Sequence, residues 1–297
     1  MSEVFTTAST TAVVTVGSSF PSSTTLPLAS ATPSQFVYPT TFDTSLGTNF
    51  TNSSCPEFFK SFLYNEDFIN CYPMSFFLLN SKSYVTIVRQ GISSVETVLN
   101  ASCSVDYQQC SSLMSNYSNQ LIQADNCLND YNLENPLVTQ AYNDFVAYDV
   151  IHDVMCLRRG LNHSNATQLD RDTKYCYSHG LFDADSSTGD AYLYLLPLGI
   201  PYPNMTAPSC SRCTKRVMDI FWEFTGVVQN QISYTYNSAA GRIAHRSNCS
   251  ANFINASAKA LPSPSATKSH SAAATVSPSL MLILLLFPFV MSILMLN

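Results

Sequence analysis

The sequence predicts a mostly α fold: a disulfide-stapled helical domain flanked by disordered Ser/Thr-rich segments. Three observations predict it. Apolar residues through the middle of the chain recur at the three-to-four spacing of a helix face. Ten cysteines, an even number, all lie between Cys55 and Cys249. Both ends of the chain are dominated by small polar residues that cannot bury enough apolar area to offset chain entropy.

Four zones follow in order. In residues 1–54, 28 positions are Ser, Thr or Pro and the only charges are Glu3 and Asp43, so this zone is expected to be disordered and O-glycosylated. Residues 55–255 form a cysteine-bounded ectodomain, large enough for one apolar core. Residues 256–279, rich in Ser, Ala and Pro, read as a stalk. Residues 280–297 are a hydrophobic tail with no charge.

Within the core the first helix face is marked by Phe58, Phe59, Phe62, Leu63 and Ile69. A second follows in CSSLMSNYSNQLIQADNCL, on Cys110, Leu113, Met114, Tyr117, Leu121, Ala124 and Leu128. The run from Pro136 to Leu157 is apolar on more than one face and reads as a central helix, with Pro136 suited to its first turn. Residues His163 to Pro208 read as irregular, since AYLYLLPLGIPYP is too broken by Pro and Gly for a long helix. A last face runs through Val217, Ile220, Phe221, Phe224 and Val228, with Ser209 as the expected N-cap.

An even set of cysteines in an oxidising compartment reads as five disulfides, formed by Cys55, Cys71, Cys103, Cys110, Cys127, Cys156, Cys176, Cys210, Cys213 and Cys249. If Cys55 and Cys71 bracket one helix they stand ~24 Å apart, against the ~4.4–6.8 Å that a disulfide permits. The same objection separates Cys110 from Cys127. The bridges must therefore join different elements, and which pairs form is left open.

Only 11% of the chain is charged, against ~25% in a typical soluble domain. A net charge of −6 without clustered Lys and Arg argues against nucleic-acid binding. Nine Asn-x-Ser/Thr acceptor sequences occur, at Asn49, Asn52, Asn100, Asn116, Asn162, Asn165, Asn204, Asn248 and Asn255, and suggest a glycosylated surface.

Each candidate for chemistry has a plainer reading beside it. Cys210 and Cys213, in SCSRCTK, have the spacing of a redox pair at a helix N-terminus, yet no βαβ pattern surrounds them and structural half-cystines are expected. No second CxxC accompanies them, so zinc is not expected. DADSSTGD, Asp183 to Asp190, imitates a calcium loop through Asp183, Asp185 and Ser187, but Thr188 replaces the turn glycine and Tyr194 the bidentate glutamate. His152 beside Asp149 and Asp153 could be oriented as a general base; a surface histidine is the plainer reading, as it is for His179. Glu66 and Asp67 are adjacent and face apart. Trp222 is expected in the core. Tyrosines of AYLYLLPLGIPYPN are weighed as a carbohydrate- or protein-binding surface. No GxSxG, HExxH or phosphate-binding glycine loop occurs. The reading leans against an enzyme and expects no cofactor, metal or catalytic residue.

The tail carries the strongest positional signal. From Leu280 to Leu296 there is no charge, and the segment spans roughly 25 Å as a helix, short of a ~30 Å hydrocarbon core. Small residues at Ser269, Ser271, Ala272 and Ala273, a polar spacer and a terminal apolar tail are the parts of a GPI-attachment signal, with Ser269 or Ser271 as the attachment site. Residues 1–20 have neither a basic segment nor the about 7–15 apolar residues of a secretory signal. The expectation is a start upstream of Met1, or else a tail anchor with cytosolic cysteines.

LPLGIPYPNMTAPSCSRCTKRVMDIF and YTYNSAAGRIAHRSNCSANFI together resemble a fungal family of extracellular cysteine-rich domains of unknown function, whose members often carry GPI signals. The resemblance covers about residues 55–255. It implies a non-enzymatic, GPI-anchored fungal cell-surface or cell-wall glycoprotein at the outer face of the plasma membrane. Its partners would be the membrane, through the GPI lipid, and cell-wall polysaccharide or another surface protein. Two alternatives stay open: a secreted hydrolase with a site near His152, and a tail-anchored membrane protein.

Overall fold

Cys55, Phe58, Phe59 and Phe62 recur at the spacing that stacks side chains on one face of a helix, and the helix α1 (Ser54–Leu63) buries all four. That face nucleates an aromatic core. The computed structural model describes residues 35–160, 171–183 and 189–262. Among them the chain forms twelve α-helices and one 3₁₀ helix, with one isolated bridge between Arg158 and Tyr175 and no strand.

Short helices follow α1: α2 (Glu66–Ile69), α3 (Met74–Asn80), α4 (Lys82–Gln90) and α5 (Ile92–Ser102). Then come α6 (Tyr107–Leu121), α7 (Leu128–Asn132), α8 (Pro136–Val146) and α9 (Tyr148–Met155). Phe62, fully buried, has ring contacts at 5.1–6.2 Å with Phe58, Phe59, Phe68, Phe76, Tyr117 and Phe145. Three of these six pairs, with Phe58, Phe68 and Phe145, meet edge to face, the arrangement their quadrupoles favour.

Local caps explain the boundaries. Ser81 accepts from the Tyr84 amide at the start of α4, and Asp106 accepts from that of Gln109 at the start of α6. Asn135 accepts from the Leu137 amide while Pro136 occupies the first turn of α8, where its missing N–H costs nothing. Gly91 joins α4 to α5 at φ 101°, ψ −173°, a conformation open in practice only to glycine.

The second half comprises α10 (Cys176–Phe182), the 3₁₀ helix Asp190–Leu198, α11 (Arg212–Phe224) and α12 (Ile232–His245). Val217, Met218 and Phe221 of α11 are buried, as are Ile232, Tyr236, Ala239, Ala240 and Ile243 of α12. The 3₁₀ helix packs on α12, where Thr235 Oγ1 donates to the Leu196 carbonyl.

Five disulfides pair all ten cysteines: Cys55–Cys127, Cys71–Cys110, Cys103–Cys156, Cys176–Cys213 and Cys210–Cys249. Neither pair excluded by helix length forms. The two stretches are not continuous helices, however: α1 ends at Leu63 before α2 begins, and α6 ends at Leu121 before α7.

Several expectations are corrected. The folded region starts before Cys55. Phe42 is buried and its amide donates to the Asn80 carbonyl. Asp43 accepts from the amides of Lys82 and Ser83, and the Thr51 amide and hydroxyl both donate to Asp130. It also ends after residue 255, because Trp222 Nε1 donates to the Ser257 carbonyl and Lys259 Nζ lies 4.3 Å from the Trp222 ring centre. Trp222 is thus half-exposed and clasps the chain's return, rather than filling the core.

The run from Pro136 to Leu157 breaks at Ala147 into α8 and α9. Ile69 and Val228 are exposed, since each lies past the helix whose face it was assigned to. The N-cap of α11 is Ser211, which accepts from the Thr214 amide, not Ser209. Ser209 instead bonds Asp190. AYLYLLPL, read as irregular, is the 3₁₀ helix: three residues per turn bring Leu193 and Leu196 onto one buried side.

Candidate functional site

Four arginines meet in one cleft. After α9, Leu157–Gly160 runs antiparallel to Lys174–Cys176. The Arg159 amide donates to the Lys174 carbonyl and the Cys176 amide to that of Leu157, each at 2.9 Å. This pairing presents Arg158 and Arg159 beside the start of α11, whose first two turns carry Arg212 and Arg216. The cleft of about 220 Å³ is lined by Arg158, Arg159, Gly160, Cys176, His179, Ser211, Arg212, Cys213 and Arg216. Its wall is the Cys176–Cys213 disulfide, which ties α10 to α11.

The guanidinium groups are held differently. Arg158 lies 5.4 Å from the centre of the Tyr175 ring, a cation–π distance. Arg159 Nη1 donates to Thr173 Oγ1 at 3.2 Å. Arg216 Nη1 donates to the Arg158 carbonyl at 3.3 Å. A Cβ on Gly160 would stand 3.4 Å from Arg212 Nη1, about an ordinary contact distance, so this backbone lies beside that guanidinium. No Asp or Glu lines the cleft among the described residues. The N-terminal end of α11, with its partial positive charge, adds to the same sign.

The candidates expected from sequence lie elsewhere, apart from His179, Cys176 and Cys213. His152 is half-buried, its ring 4.8 Å from that of Tyr107 and 5.9 Å from that of Tyr148. Burial holds its imidazole below the usual histidine value, opposed by the Asp149 charge. Its Nε2 lies 3.8 Å from the sulfur of Cys156, which is oxidised and has no proton to give. Burial, with Asp149 and Asp153 nearby, pushes the Tyr107 phenol up to about 12.

Cys210 and Cys213 bond to Cys249 and Cys176 respectively, so the CxxC is two structural half-cystines. Asp190, from the calcium-like loop, points inward to Ser209 and Thr214, and burial raises its carboxyl despite those bonds. Asp185, Ser187 and Thr188 lie outside the described residues. Among the described residues no three His, Cys, Asp or Glu side chains gather as a metal site. The tyrosine surface is corrected: Tyr194 and Tyr202 are 2% and 3% exposed, with their rings turned against Tyr177 and Tyr192.

Of the sequon asparagines, Asn49, Asn52, Asn116, Asn204, Asn248 and Asn255 are exposed. Asn100 is half-buried, its Oδ1 accepting from the Tyr175 hydroxyl at 3.0 Å. Asn162, Asn165, Ser269, Ser271 and the tail from Leu280 lie outside the described residues. Among the described residues, no helix is long and apolar enough to cross a membrane.

Sequence reasoning missed the arginine cleft because its members come from three separated segments. The available signal was the adjacent Arg158–Arg159 pair and the one-turn spacing of Arg212 and Arg216, in a chain so poor in charge.

A family described as "Domain of unknown function (DUF7729)" matches residues 37–258. No curated protein and no solved structure matches the chain.

Proposed function

The chain belongs to this family of domains of unknown function, and on that premise we propose a non-enzymatic, GPI-anchored fungal cell-surface or cell-wall glycoprotein. The observation that carries the reading is the pairing of all ten cysteines. Five disulfides form and persist in an oxidising compartment, which favours an extracellular place over a cytosolic tail anchor. The exposed sequon asparagines would hold their glycans in solvent. The tail after Ser279 supplies the anchor, with Ser269 or Ser271 as the attachment point, and cell-wall polysaccharide or another surface protein is the partner.

The test is release from intact cells. Phosphatidylinositol-specific phospholipase C should free the protein, and peptide N-glycosidase should lower its apparent mass. Protein that stays on the membrane after the lipase, with an intact tail by mass spectrometry, would refute the anchor. An unchanged mass after deglycosylation would refute the glycoprotein reading.

A further inference from the structure

We propose that residues 250–259 form a strap that peels from α11 and α12 when the chain is pulled from its C-terminal side, and that the Cys210–Cys249 disulfide stops the peeling. The release belongs to the folded domain alone; its loading in the cell rests on the proposed C-terminal anchor. After Cys249 the chain turns, the Phe253 amide donating to the Ser250 carbonyl, and runs back across the two helices. The Tyr236 hydroxyl donates to the Asn255 carbonyl at 2.7 Å, and Trp222 Nε1 to the Ser257 carbonyl at 3.1 Å. The Ala258 amide donates to Asn237 Oδ1 at 2.8 Å and the Lys259 amide to Thr225 Oγ1 at 3.0 Å. Lys259 Nζ reaches the Glu223 carbonyl and carboxylate at 3.0 and 3.1 Å.

Each of these bonds joins the strap to a side chain, or its lysine to Glu223. Among the described residues no backbone-to-backbone bond ties 250–262 to a helix. No residue from Ser250 to Lys259 is buried, and the Lys259–Glu223 pair is screened by solvent, with Glu223 68% exposed. Behind it α12 buries Ile232, Tyr236, Ala239, Ala240 and Ile243. Segments with little burial and exposed hydrogen bonds open at lower free energy than the core. Direction then sets the order. Lys259 is the last described residue bonded to the body, so tension arriving from beyond residue 262 loads its contacts first. Those of Ala258, Ser257 and Asn255 follow in turn, and bonds loaded one at a time fail at lower force than bonds loaded together. At Cys249 the losses end. The load passes through the covalent bridge to Cys210, and α12, inside the loop that the bridge closes, is bypassed. Peeling bares the Trp222 ring, 4.3 Å beneath Lys259 Nζ in the closed form, while the core keeps its shape.

The experiment holds the oxidised full chain by its two ends in optical tweezers, in uncharged detergent. A reversible low-force transition should release roughly ten residues, at most ~35 Å of extended chain, before the rest of the domain yields. K259A should raise the open population about fivefold, through loss of a partly exposed cation–π contact and ion pair. K60A, which removes an ion pair on α1, should leave it unchanged. A release on the N-terminal side is told apart by its indifference to K259A. In C210A/C249A the stop is gone, and the transition should lengthen past Cys249. If that variant fails to fold by circular dichroism, hydrogen exchange reads the boundary instead. The Ala258 and Lys259 amides should exchange together, about tenfold or more faster than those of Tyr236–Ala240, and K259A should speed the first pair only. No transition of this length, a length unchanged in C210A/C249A, an open population indifferent to K259A, or strap amides as slow as those of α12 would each overturn the proposal. Both measurements use isolated protein, so they can fail while phospholipase release succeeds, and the reverse.

Discussion

Replacing Cys55 and Cys127 together with alanine isolates the longest covalent loop. The bridge spans 72 residues, and closing a loop of that length in the unfolded chain is worth about 4.4 kcal/mol by the chain-entropy relation. Both cysteines are fully buried, so deleting two sulfurs from a packed interior adds about 1 kcal/mol. C210A/C249A is the control. Its loop of 39 residues gives about 3.9 kcal/mol, with little to add because Cys210 is exposed and Cys249 half-exposed. Guanidinium unfolding followed by circular dichroism without reductant, each variant extrapolated with its own slope, should rank C55A/C127A as the costlier by about 1–2 kcal/mol. A loss below about 2 kcal/mol for C55A/C127A, or the reverse ranking, would refute the reasoning.

Other outcomes follow from the same geometry. Phe62→Ala should cost about 3–5 kcal/mol in the same assay, and a loss under about 1 kcal/mol would show that the six surrounding rings close over the gap. Gly91→Ala should destabilise by about 1–3 kcal/mol through backbone conformation alone, since nothing stands within 4 Å of the added Cβ; a neutral result would contradict the glycine-only assignment. Asp144 is fully buried with Oδ1 unpartnered among the described residues, and burial raises its carboxyl well above the usual value. The folded state therefore holds that proton more tightly than the unfolded chain. This group's stabilisation is full below about pH 3.9 and is lost as pH rises through the folded value. Measured from about pH 4 to 8, the stability of the wild type relative to D144N should fall with pH, and a level or rising difference would reject the assignment. Lys259→Ala should shift the fluorescence of Trp222, the one tryptophan, to the red as its covering segment loosens; unchanged emission would speak against the clasp.

The helices were legible where an apolar period coincided with a stop signal. Pro136 and the Phe58–Phe62 face are examples, and the helical, disulfide-stapled class followed from them. Boundaries were less legible because a period of about 3.6 carries across a short break: Ala147 is small and apolar, so nothing in composition separates α8 from α9. Ser209 and Ser211 are equivalent as caps in sequence; the half-buried Asp190 takes both donors of Ser209 and leaves Ser211 to cap α11. Trp222 was misplaced because Ile220, Phe221 and Phe224 around it are apolar while its partner, Lys259, lies far along the chain. The arginine cleft depends on the Arg158–Tyr175 pairing and the Cys176–Cys213 bridge, both long-range facts that no local pattern encodes.

The disulfide pairing divides the chain into two closed covalent circuits. Cys55–Cys127, Cys71–Cys110 and Cys103–Cys156 overlap one another, so a single backbone cut between Cys55 and Cys156 leaves every piece attached. Cys176–Cys213 and Cys210–Cys249 do the same for Cys176 to Cys249. Between Cys156 and Cys176 only the peptide backbone connects the circuits. One scission there converts the molecule into a non-covalent pair of two- and three-bridge fragments. The arginine cleft lies at that joint, with Arg158 and Arg159 on the connecting backbone just past Cys156 and Arg212 and Arg216 inside the second circuit. After a cut beyond Gly160, the Arg159–Lys174 and Cys176–Leu157 backbone hydrogen bonds would be among the non-covalent contacts that keep the two fragments together.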